Sequence, residues 1–239
     1  MYNVIIADDH FLIREGIKKI FENSRNFKII AEASNGDSAM CLIDQYNCDL
    51  LISDISMPDG IDGLDLVKEL KNKYPESKAI LITMFTDETY IYGALISEAD
   101  GMISKDSLHK DLLGRINSIM NGEKYFLGKS EKELKQIFEE NKKFSKKVVT
   151  DLNELSLREI DVIKLIADGM TSTEIAAKLN INKRTVDTHR QHIMSKLQIK
   201  STPELILRAA KIKEMMRWHY NWISTNTDLF TYSINKMRI

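Results

Sequence analysis

Cysteine is nearly absent from this sequence: Cys41 and Cys48 are the only two in 239 residues. That is too few for a disulfide framework or a zinc site. A chain without disulfides suits a reducing compartment, so a cytoplasmic location is expected. Also missing is any window of about 18 apolar residues free of charge, which leaves no candidate membrane helix and no membrane among the expected partners. The opening MYNVIIADDH has no basic stretch followed by a long apolar one, so no signal peptide is evident. Apolar residues make up 43% and charged residues 29% of the chain, a balance that excludes disordered and collagen-like classes. The length suits two ordinary domains.

The formal net charge of −1 hides an asymmetry. Residues 1–125 carry 13 Lys and Arg against 21 Asp and Glu, a net of −8, whereas residues 155–217 carry 12 against 7, a net of +5. An acidic half joined to a basic half suggests a module that handles metal or phosphate beside one that binds nucleic acid.

In the first half, short β-branched runs alternate with amphipathic stretches. VIIAD (4–8), FKIIAEA (27–33), CDLLISD (48–54), KAILITM (78–84) and GMISK (101–105) read as five strands. The segments between them are long enough for crossover helices, and a last helix is expected over 107–121. The fold class that follows is α/β, a doubly wound five-stranded parallel sheet covered on both faces. Functional groups in such sheets gather at the carboxyl ends of the strands. Asp8 and Asp9 end the first strand, Asp54 the third, Thr83 the fourth and Lys105 the fifth.

Residues 126–150 read as a solvated linker with a short helix around Leu134, Ile137 and Phe138. From residue 151 the strand pattern is gone and an all-α four-helix unit is expected, with helices near 157–168, 172–179, 183–197 and 202–217. Three capping boxes, Ser156–Glu159, Thr171–Glu174 and Ser201–Glu204, start three of them, and Asn182 is placed to cap the other. The tight turn at 180–182 joins the middle pair as a helix-turn-helix.

Asp8, Asp9 and Asp54 at one sheet edge would repel one another without a counter-ion. A hard divalent cation, Mg²⁺ above all, relieves that repulsion, and Lys105 supplies a second positive charge. Such a site suits phosphoryl transfer to a carboxylate, with Thr83 donating to the new phosphoryl group. Taken singly, each residue has an ordinary role as well: Asp8 and Asp9 as caps of the helix near Phe11, Thr83 as a strand end, Lys105 as a surface cation. Five such groups at the ends of four strands is the more specific signal.

IIADDHFLIREG, LLISDISMP, ILITM and GMISKDS resemble the receiver domain of bacterial response regulators. LSLREIDVIKLIADGMTSTEIAAKLNINKRTVDTHRQHIMSKLQIKS resembles the LuxR-type helix-turn-helix. Together they resemble the NarL/FixJ class of two-component response regulators, with a flavodoxin-like receiver over 1–125 and a DNA-binding domain over 151–217. The resemblance implies a DNA-binding transcriptional regulator, not an enzyme, with Asp54 as phosphoacceptor from a histidine kinase. It implies Mg²⁺ held by Asp8, Asp9, Asp54 and the Ser56 backbone carbonyl, with Thr83 and Lys105 sensing the phosphoryl group. Two departures stand out. Met102 occupies the position three before Lys105 where the family has Tyr or Phe, and Tyr90 and Tyr92 are candidates to replace that ring. The loop MPDGIDG is one residue longer than usual, and a tight turn at Asp59–Gly60 would absorb the extra residue.

On the helix 183–197, Val186, Ile193 and Leu197 share the inward face. Arg184, Asp187, Thr188, Gln191 and Ser195 lie opposite. Arg184 suits guanine, Gln191 adenine, and Asp187 can accept from a cytosine amino group. Lys183, Arg190, Lys196 and Lys200 suit phosphates. Double-stranded DNA and a homodimer formed on it are the implied partners, with the last helix as dimer surface. Residues 218–239 form an aromatic extension. Ile212, Met216, His219 and Ile223 continue the last helix by spacing, and Phe230, Tyr232 and Ile234 alternate like a strand. Two rival readings are a regulator that works through protein contacts without phosphate, and an Mg²⁺-dependent phosphatase with an Asp nucleophile. Ser56 stands where the second reading wants a general-acid Asp.

Overall fold

The computed structural model describes residues 1–22 and 24–225, with the backbone alone at 214 and 217–225. The chain divides into two compact units, 1–141 and 142–239. Residues 226–239, which include the strand-like Phe230, Tyr232 and Ile234, lie outside the described residues.

The first unit is built on a parallel sheet. Its elements run β1 (Tyr2–Ala7), α1 (Phe11–Phe21), β2 (Phe27–Ala33), α2 (Gly36–Gln45), β3 (Leu50–Asp54), α3 (Gly63–Lys73), β4 (Lys78–Thr83), α4 (Glu88–Ile96), β5 (Gly101–Ser104), α5 (Leu112–Met120) and β6 (Tyr125–Phe126). The strand order is β2-β1-β3-β4-β5-β6 and every pair is parallel. Strands β1, β3 and β4 are buried along nearly their whole length because helices cover both faces, which is why they read as continuous apolar runs rather than as alternation. Val4, Ile6, Leu50, Ile52, Ile80, Ile82 and Ile103 fill one face against Ile17, Ile116 and Ile119 from α1 and α5.

Two details depart from the sequence reading. A sixth strand of two residues extends the sheet at β5, where a linker was expected to begin. The helix expected over 107–121 is interrupted: a 3₁₀ turn at Lys105–Ser107 is followed by α5 only from Leu112. Asp111, at φ +53°, breaks the run and caps α5 by accepting from the Gly114 amide at 3.2 Å.

The largest departure is α6 (Glu131–Glu154), one helix of 24 residues where a short helix in a linker was expected. Ile137, Asn141, Ser145, Val148 and Leu152 fall at helical spacing and are all buried. Asn141 and Ser145 are polar, so the stripe does not read as apolar in sequence. In the first unit the Phe138 ring lies 5.6 Å from that of Tyr92. In the second, the Ser145 hydroxyl donates to Met215 Sδ and Arg208 pairs with Asp151.

The second unit continues with α7 (Leu157–Ala167), α8 (Ser172–Leu179), α9 (Lys183–Lys196) and α10 (Thr202–Thr225). The Ser156–Glu159 and Thr171–Glu174 capping boxes are both complete. In the third, the Ser201 hydroxyl accepts from Glu204 N, but the Glu204 carboxylate turns to Lys200 N at 3.0 Å. Asn182 stands at the start of α9 without a capping side-chain hydrogen bond. Asn180 takes φ +52° and closes α8, giving the tight turn into α9. The last helix runs on to Thr225, through the positions Met216, His219 and Ile223 that continue its spacing.

Candidate functional site

Register brings the site together. Ala7 pairs with Ser53, Asp54 with Ile82, and Thr83 with Ser104. One step further along these strands come Asp8, Asp54, Thr83 and Lys105, side by side at the carboxyl edge. This edge, where β1 and β3 are neighbours and the chain order reverses, is the switch point at which doubly wound sheets bind ligands.

Asp8 and Thr83 are fully buried, and Asp54 is 5% exposed. Lys105 Nζ lies 2.8 Å from Asp54 Oδ2 and 2.9 Å from Asp8 Oδ2. Only the first contact is aligned as a hydrogen bond, so Asp8 Oδ2 is buried beside a cation yet has no hydrogen-bond donor. Asp9 Oδ1 is in the same condition beside His10. Burial, opposed by the Lys105 hydrogen bond and helped by the Asp8 charge, leaves the Asp54 carboxyl above its ordinary 3.8. Burial works to lower Lys105, but its hydrogen bond to Asp54 and its ion pair with Asp8 outweigh that and hold the ammonium above 10.5.

Carboxylates outnumber the cation at this edge, and two buried oxygens lack donors. That donor set fits a hard dication. Donor atoms of Asp8, Asp9, His10 and Asp54 all lie within 4.8 Å of one another. Asp8 and Asp9 do not cap α1 with their side chains; His10 occupies the cap position, and its amide donates to Asp8 Oδ1 at 2.8 Å. His10 was not singled out in the sequence, though it directly follows the acidic pair at a strand end. Ser56 is half-buried, and its backbone hydrogen-bonds the Asp54 carboxylate. The Thr83 hydroxyl accepts from the Phe85 amide at 2.9 Å, which leaves its own proton to donate.

The loop after Asp54 is held by turn chemistry. Asp59 and Gly60 both take left-handed φ, +56° and +111°, the φ signs a tight I′ turn requires. The Asp62 carboxylate then caps α3 by accepting from Leu64 N and Asp65 N, each at 3.0 Å. Gly63 packs directly on the phosphoacceptor candidate's backbone: a Cβ there would stand 1.9 Å from the Asp54 carbonyl oxygen. Met102 is wholly buried in β5. Tyr92 is buried on α4, and Tyr90 stacks on Phe85 at 4.5 Å.

In the second unit, Val186, Ile193 and Leu197 are buried. Lys183, Arg184, Thr188, Gln191 and Ser195 are exposed, and Asp187 and Arg190 half-buried, so α9 presents a polar face. Lys183 lies 3.9 Å from Asp187, and Thr188 donates to the Arg184 carbonyl at 3.0 Å. Lys196, expected to meet phosphate, is exposed and pairs at 2.7 Å with the buried Glu159. That tie joins the end of α9 to the start of α7. Among the described residues no helix is long and apolar enough to cross a membrane.

Comparison with known proteins finds two matching family descriptions. Residues 4–117 match the response regulator receiver domain, and residues 153–209 match the bacterial regulatory proteins of the luxR family. The chain is similar to the oxygen regulatory protein NreC of Staphylococcus aureus, 36% identical over 211 residues that cover 88% of this chain and 97% of NreC. Among solved structures it is similar to the two-component response regulator RcsB in complex with DNA, with TM-score 0.52 and 26% identity over 88% of this chain and 98% of that one. It is also similar to RcsB from Salmonella enterica serovar Typhimurium bound to a promoter in the presence of phosphomimetic BeF3⁻, with TM-score 0.53, 26% identity and the same coverage.

Proposed function

The chain belongs to the NarL/FixJ (LuxR-type) family of DNA-binding two-component response regulators, and on that premise we propose that phosphorylation of Asp54 by a histidine kinase switches it. The observation that carries this reading is Lys105 Nζ held between Asp54 and Asp8 at 2.8 and 2.9 Å. An Asp54 oxygen attacks phosphorus as the bond from phosphorus to the kinase imidazole breaks, and the departing imidazole takes up a proton. Lys105 holds Asp54 in place and meets the charge of the incoming phosphoryl oxygens. Thr83 turns its free hydroxyl proton to one of those oxygens. Asp8, Asp9, Asp54 and the Ser56 carbonyl would hold Mg²⁺, and the ion when bound would supply positive charge to the phosphoryl oxygens.

The phosphoryl group then biases a two-state receiver. The DNA-binding domain reads DNA through α9, with Arg184 and Gln191 at base edges. Asp187 and Thr188 lie between them, Lys183 and Arg190 meet phosphates, and Lys196 orients the helix through Glu159. RcsB has been solved on DNA, and for this chain we infer a homodimer on double-stranded DNA in the cytoplasm.

The test is a gel shift with and without BeF3⁻, comparing wild type with Asp54→Asn. Enhanced DNA binding in the wild type alone is expected. Binding indifferent to both the phosphomimetic and the substitution would overturn the switch. It would favour the second reading, a receiver working through protein contacts without phosphate, for which the ringless, buried Met102 speaks.

A further inference from the structure

His10 begins α1 with its side chain 62% exposed, yet Nδ1 is turned back into the acidic cluster. It lies 2.7 Å from Asp9 Oδ1 and 3.2 Å from Asp8 Oδ1. An octahedral ion with bonds of about 2.1 Å separates neighbouring ligands by about 3.0 Å and opposite ones by about 4.2 Å. The two His10 distances bracket the first figure. The 4.8 Å span of the four-residue group slightly exceeds the second, so small side-chain movements close it around one ion. Asp8, fully buried, offers to the same cluster an oxygen whose one cationic neighbour, Lys105 Nζ at 2.9 Å, is not aligned as a hydrogen bond.

The donor set therefore differs from an all-oxygen cage. Mg²⁺ prefers oxygen and gives up water reluctantly. Imidazole suits Zn²⁺, Cu²⁺, Fe²⁺ and Ni²⁺. We propose that His10 Nδ1 is an auxiliary metal ligand, so that this site takes a borderline first-row dication with mixed carboxylate and imidazole coordination while holding Mg²⁺ by oxygen alone. The proposal rests on reading Asp8, Asp9 and Asp54 as a cation site. In the absence of an ion, the tautomer with a proton on Nδ1 donates to Asp8 Oδ1; the other tautomer presents the lone pair to a metal.

Cu²⁺ is the probe, on the full-length chain. Pulsed EPR of the Cu²⁺-loaded wild type should show ¹⁴N coupling from a directly bound imidazole, and His10→Ala should lose it. Calorimetric titration should show His10→Ala weakening Cu²⁺ by at least about tenfold and Mg²⁺ by less than about twofold. His10→Gln, which keeps a polar group at the helix start, should match His10→Ala in both readouts. Cu²⁺ bound without ¹⁴N coupling, coupling that persists in His10→Ala, or equal weakening of both ions would overturn the role of His10 and leave the carboxylate site standing. Failure of the wild type to bind either ion would overturn both.

Discussion

At the amino edge of the sheet one buried aspartate meets two lysines; at the carboxyl edge one buried lysine meets two aspartates, with a third close by. Asp100, before β5, accepts from Lys71 Nζ, from Lys78 Nζ at 2.9 Å and from the Ala79 amide at 2.9 Å. Burial works to raise its carboxyl, but those three bonds outweigh it and hold the group below 3.8. Asp54, buried to a similar degree, has one lysine shared with Asp8 and lies above 3.8. The same residue types thus make opposite devices. With donors in excess, the amino edge is closed and structural. With acceptors in excess, the carboxyl edge can admit a cation and a phosphoryl group.

The largest effect that would break this contrast is on phosphorylation. Asp54→Asn should abolish phosphoryl incorporation from a small donor such as phosphoramidate, followed on phosphoprotein gels, without lowering the melting temperature, since it removes an underneutralised buried charge. Asp100→Asn should do the reverse. It leaves two cations without their counter-charge and should cost about 3 kcal/mol in urea unfolding, while phosphorylation persists. If the Asp100 variant is the one that loses phosphorylation, the contrast is wrong.

A smaller effect separates the edges by pH. For Asp54 the folded state binds the proton more tightly than the unfolded chain, so its contribution to stability falls as pH rises from about 3.8 through the folded pKa. For Asp100 the unfolded chain binds it more tightly. Its contribution is full above about 3.8 and is lost as pH falls through the lower folded value. Urea midpoints of wild type, Asp54→Asn and Asp100→Asn on either side of pH 3.8 should show these opposite slopes. Smallest of all, millimolar Mg²⁺ should raise the melting temperature by a few degrees in wild type and in Asp100→Asn, and not in Asp54→Asn.

The sheet and the cluster at its carboxyl edge were legible because strand ends carry them. Asp8, Asp54, Thr83 and Lys105 each follow a run of mostly buried apolar residues, and parallel register converts that position into proximity. What was not legible depends on side-chain direction or on polar residues inside buried stripes. His10 reads as an ordinary residue after two acids until its Nδ1 is seen turned back on them. The tie of Lys196 was hidden because Glu159, 37 residues earlier, gives no sign that its capping carboxylate also reaches α9. In α6, Asn141 and Ser145 interrupt the apolar period that would have announced 24 helical residues. Asn182 shows the reverse case, a favourable capping residue whose side chain makes no cap bond.

Gly63 has a consequence for how this protein can vary. Apart from synonymous and stop changes, every one-base change to a glycine codon gives a residue with a Cβ, and at this position that atom would collide with the Asp54 carbonyl. A saturation screen scored on signalling should therefore place position 63 among the intolerant sites, beside Asp54 and Lys105, although it contributes no side chain. Intolerance there would report the clearance of a backbone, and a map of sensitive positions would overcount the chemistry by one.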